Sequence, residues 1–182
     1  MSSKDLTPRF VFITTAIFLA ALSRLLPHPF NFTPIGAMAL LGGACFSNNK
    51  IAFSVPILSM LVSDCIIGFH NTLLYVYASF ILITFIGMYL RNNAKASTII
   101  AASLVSSLLF FVITNFGVWA ADSTSHGLSG LISTYTLAIP FYTNDLFGNF
   151  FLNTIMGDLF FNGILFGALY VARVKFPALV KA

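Results

Sequence analysis

The sequence predicts an all-α integral membrane protein, a bundle of six transmembrane helices, and three observations support this fold class. Hydrophobic residues make up 58% of the 182 residues and charged residues only 8%, whereas about 25% charged residues is usual for a soluble domain. The apolar residues form runs close to the roughly 20 residues that one membrane span needs. The basic residues stand at the ends of these runs, which indicates membrane topology rather than nucleic-acid binding. We therefore expect one membrane domain over residues 1–182.

Six apolar runs define the predicted spans. The first, 10–26, follows Lys4 and Arg9 as a signal peptide would, but we interpret it as an uncleaved helix because more membrane segments come after it. Pro27 and Pro34 bracket a tight loop before the second run, which is short and rich in glycine and alanine. This second run covers 33–46, and the remaining four runs cover 51–69, 73–90, 98–121 and 152–174.

A long segment over 122–151, without lysine or arginine, is the predicted outer loop between the last two spans. Its apolar stretch over 128–142 is too short and too polar for a confident span. We expect this stretch to form an interfacial helix or a lid over an outer cavity.

The basic residues also predict the orientation of the bundle. Because the runs alternate in direction, eight basic residues share one side and only Arg24 lies near the other. Basic residues favour the cytoplasmic side, so both termini are expected inside. The eight residues are Lys4, Arg9, Lys50, Arg91, Lys95, Arg173, Lys175 and Lys181.

Polar residues concentrate in the predicted outer half. All the aspartates except Asp5 belong there, and a carboxyl at membrane depth costs a few kcal/mol unless it is paired or faces water. Helical spacing places further polar residues on shared faces with these aspartates. We expect the faces to line one cavity open to the outside, and the alternative is that they hold the helices together by hydrogen bonds. The faces are Asn115, Trp119 and Asp122; Thr154, Asp158 and Asn162; and Asp145, Asn149 and Asn153, with Asp64 on the third span.

The sequence offers little support for an enzyme. Gly127–Gly130 fits the G-x-S-G pattern of rhomboid proteases, but no histidine follows Ser129 to activate it. Nucleotide-binding motifs are absent from the sequence, so we expect no catalytic activity, no intrinsic cofactor and no ATP hydrolysis by this chain. Cys65, beside Asp64, is interpreted either as a small buried apolar residue or as a ligand for a soft metal.

Five segments carry a resemblance to known proteins: RLLPHPFNFTP at 24–34, LGG at 41–43, SDCIIGFH at 63–70, TNFGVW at 114–119 and AIPFY at 138–142. They resemble a family of small bacterial membrane proteins that is similar to the substrate-binding S components of energy-coupling-factor (ECF) vitamin transporters. The resemblance covers about residues 9–175 and is nearest to the solitary vitamin B12 group. It implies an S-component-like fold in the bacterial cytoplasmic membrane, with a site at the outer face and loops that close it. It also implies an ATP-hydrolysing ECF module as partner, or none.

With that resemblance, the expected function is uptake of a vitamin-sized molecule, with cobalamin or a corrinoid precursor as the leading substrate. Cys65 is the expected ligand of the corrinoid cobalt. The other expected pocket residues are Asp64, His70, Asn115, Trp119 and Asp158, and those of the gating loop are His28, Asn31 and Phe32. Two alternatives stay open: a carrier for a cationic amine vitamin or a metal ion, which the outer aspartates favour, and a membrane scaffold that transports nothing.

Overall fold

A computed structural model describes residues 7–122, 127–139, 149–176 and 179. Within these residues the chain forms seven α-helices and one 3-10 turn and has no strands, which confirms the all-α part of the predicted fold class. In order these are α1 (Pro8–Ser23), α2 (Ile35–Cys45), α3 (Asn49–Ile67), α4 (Leu73–Tyr89), the turn Leu90–Asn92, α5 (Ala96–Ala121), α6 (Leu128–Ala138) and α7 (Phe150–Lys175).

Four of these segments are long and apolar enough to cross a membrane: Asn49–Ile67, Leu73–Asn92, Ala96–Ala121 and Phe150–Lys175. They correspond to the third, fourth, fifth and sixth predicted spans. The first two predicted spans are also apolar helices, α1 with 16 residues and α2 with 11, and both are shorter than the roughly 20 residues of a full crossing. The structure therefore supports a membrane protein with four spanning helices, and the count of six stays a prediction.

Polar caps explain why several helices begin earlier than predicted. α1, α3 and α7 each start two residues before the apolar run by which we recognised them. At all three starts a side-chain oxygen accepts a hydrogen bond from a free backbone N–H of the first turn, which stabilises the helix end. The pairs are Thr7 with Phe10 at 3.1 Å, Asn48 with Lys50 at 2.9 Å, and Asn149 with Leu152 at 2.9 Å.

Two helices end before the predicted boundary for local reasons. α3 stops at Ile67 because Gly68 follows with φ of 103°, a conformation that L-residues rarely adopt. α1 stops at Ser23, and the backbone continues to Leu26 through single turns. Pro27 comes next and disfavours helical dihedrals at the residue before it.

The short helix α2 is the centre of the bundle. Nearly all of its residues are buried, and an all-apolar surface is typical of a helix surrounded by others. It packs most extensively on α4, where Gly43 and Gly87 let the two backbones meet. A Cβ atom at Gly43 would overlap the carbonyl oxygen of Thr84, and one at Gly87 would overlap that of Leu40. This crossing therefore depends on glycine in both helices.

The helix α6 lies in the predicted outer loop and packs against α5. The Tyr135 hydroxyl donates a 2.6 Å hydrogen bond to the carbonyl of Val112, and the Tyr135 ring stacks edge-on with Phe111 at 5.9 Å between centroids. The expected helix in this stretch is thus present over 128–138, whereas Asp145 and the rest of 140–148 lie outside the described residues.

Candidate functional site

Asp64 is the centre of a buried charged network between α1, α3 and α4. Its carboxylate forms a 2.7 Å ion pair with Arg24, and the two side chains are only 2% and 9% exposed. The Tyr77 hydroxyl donates to the other carboxylate oxygen at 2.8 Å. Arg24 also donates to Ser63 at 2.5 Å, and Ser63 donates to the carbonyl of Met60 at 2.8 Å. The charge that membrane burial makes costly is thus compensated within the protein.

A second buried network joins α5 and α7. Asp158, 3% exposed, accepts a 2.6 Å hydrogen bond from Ser107. One helical turn further on, the Asn162 amide donates to the hydroxyl of Ser103 at 3.0 Å. Gly36 of α2 faces Asp158 so closely that a Cβ atom there would overlap the carboxylate. Among the described residues, Asp158 has no basic partner, in contrast to Asp64.

The predicted α7 stripe does face the interior of the bundle. Thr154, Asp158 and Asn162 are all buried, as are Asn149 and Asn153 on the preceding stripe. The polar side chains of α7 therefore contact other helices and loops rather than lipid, as the i, i+4, i+8 spacing predicts for one helical face.

The loop between α1 and α2 lies against the start of α7. The Asn153 amide donates a 2.9 Å hydrogen bond to the carbonyl of Phe30. The ring of Phe32 packs on those of Phe160 and Phe161 at 5.5 and 5.8 Å between centroids, and Gly157 leaves room for the Phe32 backbone. The expected gating loop is thus in contact with the polar face of α7.

The other two residues expected in the gating loop are exposed. His28 makes a 3.0 Å contact with the carbonyl of Pro29 through Nδ1. Asn31 has φ of 62°, which asparagine tolerates better than most residues. Both are therefore on the accessible side of the loop, while Phe32 holds it to α7.

Cys65 and His70 lie apart from the buried networks. The Cys65 thiol is exposed, on the same face of α3 as Leu58, Leu61 and Val62, while the neighbouring Asp64 points inward. His70 is exposed beyond the end of α3 and contacts the Thr72 hydroxyl at 2.9 Å through Nδ1. The structure does not bring these two residues together with Asp158.

The predicted face at the outer end of α5 is half-buried. The Asn115 amide donates to the carbonyl of Phe111 in its own helix at 2.8 Å. Trp119 packs on Phe116 at 5.3 Å between ring centroids, and its buried indole N–H has no hydrogen-bond partner within the described residues. Asp122 is the C-cap residue of α5.

Within the described residues, Asp64 and Asp158 therefore belong to two separate networks that share no residue. The other residues of these networks, which contact the aspartates, Arg24 or Asn162, were not among the predicted site residues. They are Tyr77, Ser63, Ser103, Ser107 and Gly36. The position of Arg24 was one indication of its importance, because it is the basic residue predicted on the side opposite to the other eight.

Comparison with known proteins gives a family but no function. Neither a curated protein nor a solved structure matches the chain. One family model matches residues 4–179, nearly the whole sequence. The chain therefore belongs to the family of unknown function DUF6580.

Proposed function

We propose that this protein is the substrate-binding subunit of an uptake transporter for a vitamin-sized molecule, similar to the S components of ECF transporters. The observation that carries the proposal is the burial of ionisable side chains in an otherwise apolar bundle. Asp64 and Asp158 are both inside, in a chain with 8% charged residues. Carboxyls at membrane depth are costly and typically mark substrate or ion pathways.

The contact between the α1–α2 loop and α7 supports the same proposal. Within the described residues, a hydrogen bond from Asn153 to the Phe30 carbonyl and several ring contacts hold this loop next to the buried polar face of α7. A typical hydrogen bond contributes only about 0.5–1.5 kcal/mol net, so we expect the Asn153–Phe30 hydrogen bond to break readily when a solute enters. Opening would expose Asn153 and the residues below it to a solute.

Cobalamin or a corrinoid precursor is the leading substrate in this proposal. The thiol of Cys65 is exposed near the C-terminal end of α3, and thiolates bind soft metal centres. With aquacobalamin, the thiol would lose its proton to solvent, its sulfur would bond to cobalt, and the cobalt-bound water would leave. The protein would sit in the bacterial cytoplasmic membrane with its basic end inside. An ATP-hydrolysing module would drive transport, or the protein would act alone.

A second candidate is a carrier for a cationic amine vitamin or a metal ion. It is favoured by Asp158, whose carboxylate has a hydrogen bond from Ser107 but no ion-pair partner within the described residues. A cationic ligand at this position would supply the missing charge. Asp64 is less suited to that role because Arg24 already neutralises it.

The test is ligand binding by the purified protein. Corrinoid binding predicts a shifted visible spectrum with aquacobalamin, and the shift should disappear in Cys65→Ala but persist in the matched control Cys45→Ala. A cation site instead predicts saturable binding of thiamine that Asp158→Asn abolishes and Cys65→Ala leaves unchanged. If neither probe binds and both variants behave as wild type, the proposal is wrong and a scaffold without a ligand is the better account.

A further inference from the structure

Three arginines from distant parts of the sequence line one cavity. The cavity measures about 930 Å³ and lies beside the C-terminal end of α2. Arg9 comes from α1, Arg91 from the 3-10 turn after α4, and Arg173 from the last turn of α7. The lining residues include no acidic side chain, and Asp5, the aspartate predicted at this end, lies outside the described residues. The cavity is therefore strongly positive.

The hydrogen bonds of these arginines are incomplete. Arg9 donates to the carbonyl of Cys45 at 3.3 Å, and Arg91 donates to the carbonyl of Gly43 at 2.9 Å and to Asn49 at 2.8 Å. Arg9 Nε, Arg91 Nη2 and Arg173 Nε are buried and have no partner within the described residues. A buried donor without an acceptor destabilises the fold, and more so when it is charged. The acceptors that these arginines contact within the described residues are all neutral, so an anion would both accept the unused hydrogen bonds and balance the charge.

Part of the same cavity is lined by apolar side chains from two helices. Ile99 and Ile100 come from α5, and Leu159, Phe166 and Tyr170 come from α7. Because both helices are long and apolar enough to span a membrane, we expect the cleft between them to adjoin the acyl chains of surrounding lipid.

Two glycines keep this cleft open. A Cβ atom at Gly163 or Gly167 would meet nothing within 4 Å, so the space above α7 is empty there. Directly before Gly163, Asn162 also lines the cavity and is only 3% exposed. Its side-chain oxygen has no hydrogen-bond partner within the described residues. The cavity thus combines a cationic end with an apolar cleft that still offers an unused polar atom.

We propose that this cavity binds an anionic phospholipid, with its phosphate between the three arginines and an acyl chain in the cleft between α5 and α7. Arginine suits this role because its planar guanidinium pairs with phosphate through two hydrogen bonds. Basic pockets between membrane helices on the cytoplasmic side are a known way to hold anionic headgroups. The site is separate from the uptake function proposed above and does not depend on it.

Native mass spectrometry of the full-length protein in detergent tests the lipid site, with phosphatidylglycerol compared against phosphatidylcholine at equal concentration. We expect one phosphatidylglycerol to bind about tenfold more tightly than phosphatidylcholine, and Arg173→Gln to reduce that affinity by about tenfold. Arg173 is the best position for substitution because, unlike Arg9 and Arg91, it has no side-chain hydrogen bond to α2 in the described residues. The matched control is Lys175→Gln on the same helix turn, which is exposed and does not line the cavity.

A second variant separates the lipid from a free anion. Gly167→Leu places an apolar side chain in the cleft, at a position where an added Cβ atom meets nothing within 4 Å, so it should weaken phosphatidylglycerol binding and leave any binding of inorganic phosphate unchanged. Three results would overturn the proposal: equal binding of both lipids, equal losses in Arg173→Gln and Lys175→Gln, or displacement of phosphatidylglycerol by inorganic phosphate with Gly167→Leu behaving as wild type.

Discussion

The ion pair between Arg24 and Asp64 gives the sharpest prediction about stability. We consider two single variants, Arg24→Met and Asp64→Leu, and the double variant that carries both. Each single change leaves one charge buried without its partner, because the two side chains are 9% and 2% exposed and 2.7 Å apart. The double change removes both charges and puts apolar side chains of similar size in their place.

The structure sets the expected magnitudes. Breaking a buried pair on one side costs about 3–5 kcal/mol, whereas replacing the whole pair by apolar side chains is often neutral. Tyr77 donates a further charge-assisted hydrogen bond to Asp64 at 2.8 Å, so Tyr77→Phe should cost about 1.5–3 kcal/mol. We therefore expect each single variant to lose at least about 3 kcal/mol. The double variant also lacks the acceptor of the Tyr77 hydrogen bond, so it should lose about 1.5–3 kcal/mol, far less than the sum of the two single losses.

Unfolding in mixed micelles of dodecyl maltoside and SDS, followed by helical circular dichroism, measures these differences. Lys95→Met is the matched control, because this lysine is exposed and should change stability by less than about 0.5 kcal/mol. The reasoning would be refuted if both single variants cost under about 1 kcal/mol and their effects simply added, which is the behaviour of a hydrated surface pair. Asp64 would then be free to serve a ligand.

Four further variants test other parts of the structure. Gly87→Val places a Cβ atom against the backbone of α2 and should cost about 3 kcal/mol, whereas Gly163→Val on the open side of α7 should cost under about 1 kcal/mol by the same unfolding assay. Ser107→Ala removes the 2.6 Å hydrogen bond to Asp158 and should cost about 1–3 kcal/mol, and no loss of stability would contradict the contact. Asn153→Ala releases the α1–α2 loop, so hydrogen exchange over residues 24–34 should become faster while that of α4 stays the same.

Sequence reasoning was most successful with apolar runs. The four helices that are long and apolar enough to cross a membrane were predicted within a few residues, because continuous hydrophobicity of about 20 residues is a strong signal. The early starts of α1, α3 and α7 share one cause: the capping residues Thr7, Asn48 and Asn149 are polar and lie outside the apolar runs. The ends at Ser23 and Ile67 depended on local backbone geometry that hydropathy does not record.

The buried polar residues of α7 could be predicted from the sequence, but the serines of α5 that bond to them could not. Asp158 and Asn162 stood out because polar residues at i and i+4 in an apolar helix must avoid lipid. Ser103 and Ser107 follow the same spacing in α5, but a serine can satisfy its hydroxyl by bonding to its own helix, so it carries no such signal. Ser107 indeed also bonds the carbonyl of Ser103 at 3.0 Å.

Contacts between residues far apart in the sequence could not be predicted, either at the cavity lined by three arginines or at the buried ion pair. The topology prediction placed Arg9, Arg91 and Arg173 on one side, and the structure brings them to one cavity. Nothing in the sequence indicated that they would meet there, since that depends on how α1, α4 and α7 pack around the end of α2. The same holds for Arg24 and Asp64, whose proximity follows from the crossing of α1 and α3.

Uptake by cells is the most direct test of the proposed transport function. Radiolabelled cobalamin and thiamine would each be supplied to bacteria that lack their own uptake system and express this protein or an empty vector. The account predicts accumulation of one of the two above the vector level, lost in Cys65→Ala for cobalamin or in Asp158→Asn for thiamine. Accumulation of neither, with the protein present and folded in the membrane, would contradict it.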